Sequence, residues 1–127
     1  MNKMNKKGFT LAELLIVVAI IGVLVAIAIP VFTTQLEKSR EATDIANVRS
    51  AYAEVVTAYL SNESDPSMTV EAKQTVSGWQ GPTGTIEYFS DNATQAYQYS
   101  AKYGANASYT VSLTIDASTG NATPKVS

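Results

Sequence analysis

The chain has 127 residues, 46% of them apolar, with nine basic and eleven acidic side chains and a formal net charge of −2. It contains no cysteine and no histidine, which excludes disulfide staples, thiolate or imidazole metal sites, thiol nucleophiles and imidazole acid–base chemistry. Most enzyme classes weaken on that ground, and the length suggests one domain.

The apolar residues are unevenly placed. Lys3, Lys6 and Lys7 come first, and 20 of the 24 positions from Phe9 to Phe32 are then apolar. Glu13 is the one charge between Gly8 and Glu37, and Leu14 to Ile29 is an unbroken run of 16 apolar or glycine residues. As a helix, Phe9 to Phe32 would measure about 36 Å at ~1.5 Å per residue, against a bilayer hydrocarbon core of about 30 Å. Basic residues ahead of such a segment stay on the cytoplasmic side. That orientation sends outward the remainder from Thr33, which carries six basic and ten acidic residues. No Lys/Arg cluster of the kind nucleic-acid binding needs occurs there. Composition alone offers two readings. One is a secretory signal peptide with Ala26-Ile27-Ala28 as its cleavage site; Glu13 inside the run and Pro30 just past the cut weigh against it. The other is a single-span anchor, in which Glu13 at mid-bilayer would cost about 2.5–3.5 kcal/mol.

The order of residues in Lys6-Lys7-Gly8-Phe9-Thr10-Leu11-Ala12-Glu13-Leu14-Leu15 closely resembles the class III signal of type IV prepilins and pseudopilins. The resemblance covers about ten residues. It implies cleavage by a dedicated peptidase between Gly8 and Phe9, N-methylation of Phe9, and retention of the apolar segment in the mature chain. Elementary chemistry makes the pattern intelligible. Gly8 lacks a side chain and can enter a protease cleft in extended form. Cleavage would leave an ammonium on Phe9, four residues from the Glu13 carboxylate, and unpaired charges in an apolar setting are costly. If such rods pack side by side with an axial offset, the Phe9 amine of one neutralises Glu13 of a neighbour and sets the register. The resemblance implies the same pairing in filament assembly.

Gly22 and Pro30 are the weak points of the rod. Glycine costs roughly 1 kcal/mol against alanine in a helix interior, and Pro30 has no N–H for the Ala26 carbonyl, which kinks or loosens the preceding turn. Both are also tolerated irregularities of membrane helices. Resemblance to pilins implies a stretch, here Gly22 to Pro30, able to melt in a filament.

Thr33 to Leu60 contains no glycine or proline and extends the helix. Ile45, Val48, Tyr52, Val55 and Tyr59, widened by Val56 and Leu60, form a stripe at helical spacing that predicts packing on a head domain. A second row of mostly small residues, Phe32, Leu36, Ser39, Thr43, Ala46, Ser50 and Ala53, suits contact with neighbouring helices or solvent equally. Glu37, Glu41, Lys38 and Arg40 read as a wet helix surface, with Glu37 and Arg40 able to pair at i,i+3. Ser61 to Pro66 supplies turn formers that end the helix.

Beyond Pro66 the period becomes alternating. Tyr109, Val111, Leu113 and Ile115 predict a half-buried strand; Tyr97, Tyr99, Ala101 and Tyr103 predict a second, and Ile86 to Phe89 a third. Met68 to Val76 suggests a fourth, although Val70 to Thr75 suits a helical turn equally. Gly104 to Ala107 and Ser118 to Asn121 are turn chemistry. Gly78, Gly81 and Gly84 with Pro82 form a loop rather than a phosphate cradle, since no Lys-Ser/Thr follows. The tyrosines read as sheet packing. Asn-x-Ser/Thr triplets at Asn62, Asn92, Asn106 and Asn121 read as chance, and Asp91, Asn92 and Asp116 would hold calcium only if folding gathered them.

The expected fold is α+β: a long N-terminal helix, apolar then amphipathic, packed against a small antiparallel β-sheet. The expected parts are a leader (1–8) with Lys3, Lys6 and Lys7 as its charges, a transmembrane or filament-core helix (9–32), an amphipathic continuation (33–61) and a β-rich head (62–127). No catalytic residue, cofactor or metal is expected. The resemblance implies a structural pilin held in the cytoplasmic membrane, head outward, then assembled into an extracellular type IV pilus. Its implied partners are further copies in a helical filament, a prepilin peptidase, an assembly platform protein and an ATPase. A pseudopilin of a type II secretion or competence system shares the signal, and a secreted binding domain with an ordinary signal peptide is the alternative from another class.

Overall fold

The computed structural model describes residues 8–127. The chain divides into two compact units, one through Gln35 and the other from Leu36 to Ser127. Helix α1, Leu11–Leu60, supplies residues to both and includes Pro30 without interruption.

In the first unit the side chains of α1 point outward and every large apolar residue from Phe9 to Phe32 is exposed. The segment is long and apolar enough to cross a membrane. Gly22 sits in open space on this surface. Pro30 withholds an N–H from the ladder, and hydroxyls gather beside it: Thr33 Oγ1 donates to the Ile29 and Pro30 carbonyls at 3.1 and 3.0 Å, and Thr34 Oγ1 to that of Pro30 at 3.0 Å.

In the second unit α1 buries Glu37, Glu41, Asp44, Val48, Ala51 and Val55, a single stripe with steps of four and three. Val48 and Val55 are the deepest members of the predicted apolar row, Ile45, Tyr52, Val56 and Tyr59 are half-buried, and Leu60 is exposed. The row of small residues from Leu36 to Ala53 is exposed. The helix ends in a Schellman motif. Asn62 takes the left-handed conformation (φ 65°), its N–H reaches the Tyr59 carbonyl, and the Glu63 N–H reaches that of Ala58.

Five strands follow: β1 (Ser67–Glu71), β2 (Thr85–Ser90), β3 (Ala93–Gln98), β4 (Ser108–Ile115) and β5 (Ala122–Val126). They form an antiparallel sheet in the order β1-β4-β5 and a separate β2-β3 hairpin. Val70 pairs with Tyr109 and Met68 with Val111, which pairs in turn with Val126. One face of this sheet is thereby apolar. Tyr109 and Val111 join Val48, Ala51, Val55, Ala72, Ile86 and Tyr99 in the core. The fold is α+β.

Three strand expectations change. The expected strand through Tyr97–Tyr103 lies earlier, because Asp91 and Asn92 both adopt positive φ (53° and 63°) and close a two-residue hairpin with Ser90 opposite Ala93. Past Gln98 the chain leaves the hairpin and Tyr99 packs edge-on against Trp79 and Tyr109, with ring centroids 5.7 and 5.6 Å apart. Strand β5 was unforeseen because Pro124 interrupts it; as an edge strand it tolerates the missing donor. The Met68–Val76 segment is strand only to Glu71.

Candidate functional site

The N-terminal end of α1 is built by a reciprocal pair. Glu13 Oε2 accepts the Thr10 N–H at 2.9 Å, and Thr10 Oγ1 accepts the Glu13 N–H at 3.2 Å. This is a capping box, in which two of the free N–H groups at the helix start find side-chain acceptors. Thr10-x-x-Glu13 ahead of an apolar run was the legible signal for it. Gly8 and Phe9 precede the helix, and Phe9 is 80% exposed. Glu13 is thus the one carboxylate near the start of a fully exposed apolar helical segment.

A second constellation lies in the unit from Leu36. Glu37, Glu41 and Asp44 are 3%, 2% and 1% exposed, so the expectation of a wet surface is wrong for both glutamates. Their oxygens take six backbone N–H groups from the segment after β1. Asp44 receives Lys73 and Gln74 at 2.8–3.1 Å. Glu37 receives Thr75 and Val76 at 2.7 and 3.0 Å, with the Thr75 hydroxyl at 2.7 Å. Glu41 receives Gln80 and Gly81 at 2.7–3.0 Å. A segment without strand partners has its donors satisfied by side chains on a helix. The expected i,i+3 pair is present, Arg40 to Glu37 at 3.3 Å, and Arg40 also donates to the Thr75 hydroxyl.

Burial opposes ionisation of Glu37. The bonds from the Thr75 hydroxyl, the Val76 and Thr75 amides and Arg40 outweigh it and hold the carboxyl below its ordinary range. For Asp44 burial dominates and the pKa is raised despite the Lys73 and Gln74 amides. The arrangement is a clamp, in which every carboxylate accepts main-chain N–H groups.

The description "prokaryotic N-terminal methylation motif" matches residues 3–29. The chain is 53% identical over 53 residues to the type IV narrow pilus major component of Thermus thermophilus, covering 39% of this chain and 46% of that one. It is 40% identical over 67 residues to the type IV major alpha-pilin of Moraxella bovis (53% and 42%). To a type IV major fimbrial protein of Dichelobacter nodosus it is 40% identical over 79 residues (62% and 46%). The chain is thus similar to type IV pilins. It spans under half the length of each of these relatives. No solved structure matches it.

The methylation motif takes in Gly8, Phe9, Glu13 and Gly22 and stops one residue before Pro30. Lys3, Lys6 and Lys7 lie within it but outside the described residues. Of the weaker candidates, Asp91 accepts from the Asn121 side chain at 2.9 Å. Asp116 closes its own turn on Ser118 and Thr119. No group of three metal-ligating residues occurs among the described residues. Asn62, Asn92 and Asn106 all sit at positive φ, so turn chemistry accounts for three of the four triplets. In the glycine loop, Gly84 makes room for aromatic rings: a Cβ there would lie 2.5 Å from the Tyr99 ring.

Proposed function

We propose that this chain is the structural subunit of a type IV pilus. Prepilin peptidase cuts between Gly8 and Phe9, Phe9 is N-methylated, and the retained apolar helix waits in the cytoplasmic membrane with the head outside. A platform protein and an ATPase then move it into a helical filament of identical chains, where the Phe9 amine of one subunit neutralises Glu13 of another. The work is assembly and needs no catalytic group. The observation that carries the reading is the methylation motif lying on an exposed apolar helical segment with a lone carboxylate near its start. An exposed apolar surface of this size needs a cover, first lipid and then other copies. Mass spectrometry of the chain from sheared surface filaments tests it. A methylated Phe9 N-terminus is expected, and an N-terminus at Ile29 would rule the reading out. Glu13→Ala should leave a cleaved, membrane-held chain with few filaments; normal filament yield would remove Glu13 from the mechanism.

A further inference from the structure

Two charged surfaces on the unit from Leu36 have no partner of their own. The first is a groove between α1 and the loop after Gly81. Ala42, Ile45, Ala46 and Pro82 line it, with Lys38 and Arg49 at its rim. Among the described residues the ion pairs are Arg40 with Glu37 and Lys73 with Glu71, so both rim cations are unpaired. The Glu41 carboxylate beneath is already spent on the Gln80 and Gly81 amides. The second surface is a small cleft at the helix end, where Glu54 and Glu63 flank Ala58, Pro66 and Met68. Neither glutamate has an ion-pair partner among the described residues.

The two surfaces are opposite in charge and similar in make-up, an apolar floor between like charges. They also lie on opposite flanks of the helix. At about 3.6 residues per turn, Lys38, Ala42, Ile45 and Arg49 project to one side of the stripe that runs from Glu37 to Val55, and Glu54 to the other. Like charges oppose pairing of either patch with itself across a two-fold axis, and the opposite flanks oppose reciprocal pairing of the two. A copy that receives on one flank and gives on the other makes a head-to-tail contact, which propagates from copy to copy, as a helical filament requires, rather than closing into a two-fold dimer.

We propose that the cationic groove of one subunit, rimmed by Lys38 and Arg49, receives the Glu54/Glu63 corner of a second copy of this chain. The contact rests on the filament reading and adds to it a specific register between the globular units of neighbouring copies. Opposite charges steer the approach and set orientation, and the apolar floors exclude water where they meet.

Because the chain has no cysteine, paired thiols report the contact without background. In full-length chains assembled on cells, Arg49→Cys combined with Glu54→Cys should give a ladder of disulfide-linked multimers under oxidation, and each single variant should give none. Lys38→Glu with Arg49→Glu should cut sheared filament yield about tenfold and make it salt-sensitive, as should Glu54→Lys with Glu63→Lys; combining all four should restore it. Wild-type yield from both reversed pairs with no ladder overturns the contact and leaves the filament reading standing. Dimers from either single-cysteine variant also overturn it, by showing a self-complementary surface. Absence of filaments from the wild-type chain overturns both.

Discussion

Glu37 holds Thr75 twice, accepting its N–H on one carboxylate oxygen and its hydroxyl on the other, both at 2.7 Å across 38 residues of sequence. With Glu41 and Asp44 it fastens the segment between β1 and β2 along the helix. Replacing Glu37 with alanine leaves the Thr75 and Val76 amides without acceptors, which costs about 1–3 kcal/mol for a buried group. The expected result is a lower thermal midpoint for the full chain in detergent and a larger rise in hydrogen exchange at Thr75 and Val76 than at Val111 in the central strand. Exchange rates at Thr75 and Val76 equal to wild type would show that the clamp does not hold the segment.

The clamp gives the fold a pH dependence of mixed sign. Glu37 has a depressed folded pKa, so its contribution is present above its ordinary value of 4.5 and is lost as pH falls through the lower folded value. Asp44 has a raised folded pKa, so acidification toward its ordinary 3.8 favours the folded state. Glu37→Gln should therefore flatten the loss of stability below pH 4.5, and Asp44→Asn should steepen the net acid loss above pH 3.8. Thermal midpoints measured across that range distinguish the two.

Gly84 is required by a close approach rather than by a turn. Its missing Cβ leaves space for the Tyr99 and Trp79 rings, while its carbonyl accepts the Tyr99 N–H at 3.2 Å. Gly84→Ala should destabilise the head by about 1–3 kcal/mol through overpacking, read as a lower denaturation midpoint. Gly120→Ala, where no atom stands nearby and φ is +76°, should act by backbone strain alone and leave Trp79 fluorescence unaltered.

Tyr109 is buried with its hydroxyl in use on both sides. It donates to the Gln74 side-chain oxygen and accepts the Lys102 N–H at 2.9 Å. Burial pushes its pKa up to about 12, so it stays neutral and able to donate. Tyr109→Phe should cost about 1–3 kcal/mol by orphaning both groups. An unchanged unfolding midpoint would mean that water replaces the hydroxyl.

Thr10 and Glu13 cap the helix together. Thr10→Ala should weaken the first turn by about 1 kcal/mol, seen as faster exchange of the Glu13 amide in micelles. Wild-type protection of that amide would show that the helix does not need the cap.

Much of this could be read in advance where burial follows hydrophobicity. Val48 and Val55, the alternation from Tyr109 to Ile115 and the turn at Asn62 all announce themselves by period or by a residue suited to positive φ. The strand ending at Gln98 was misplaced because Tyr99 is buried by ring packing outside any ladder, and period-2 counting cannot tell the two apart. Glu37 and Glu41 differ from the expected wet surface for the opposite reason, and Asp44 gave no signal of its own. They continue the buried stripe in perfect helical step, yet a charged residue counts as surface until its acceptor role is seen.

The order of residues from Lys6 to Leu15 and the apolar run after it carry the likeness to pilins by themselves, because that signal is local and chemical. The 46% apolar content never described one core; it averaged an exposed helical segment with a lean head. Only tertiary structure could decide how that head closes, because the amides that occupy the three carboxylates lie roughly 30 to 40 residues downstream. An acceptor is recognised by the donors brought to it, and that pairing exists only in the folded chain.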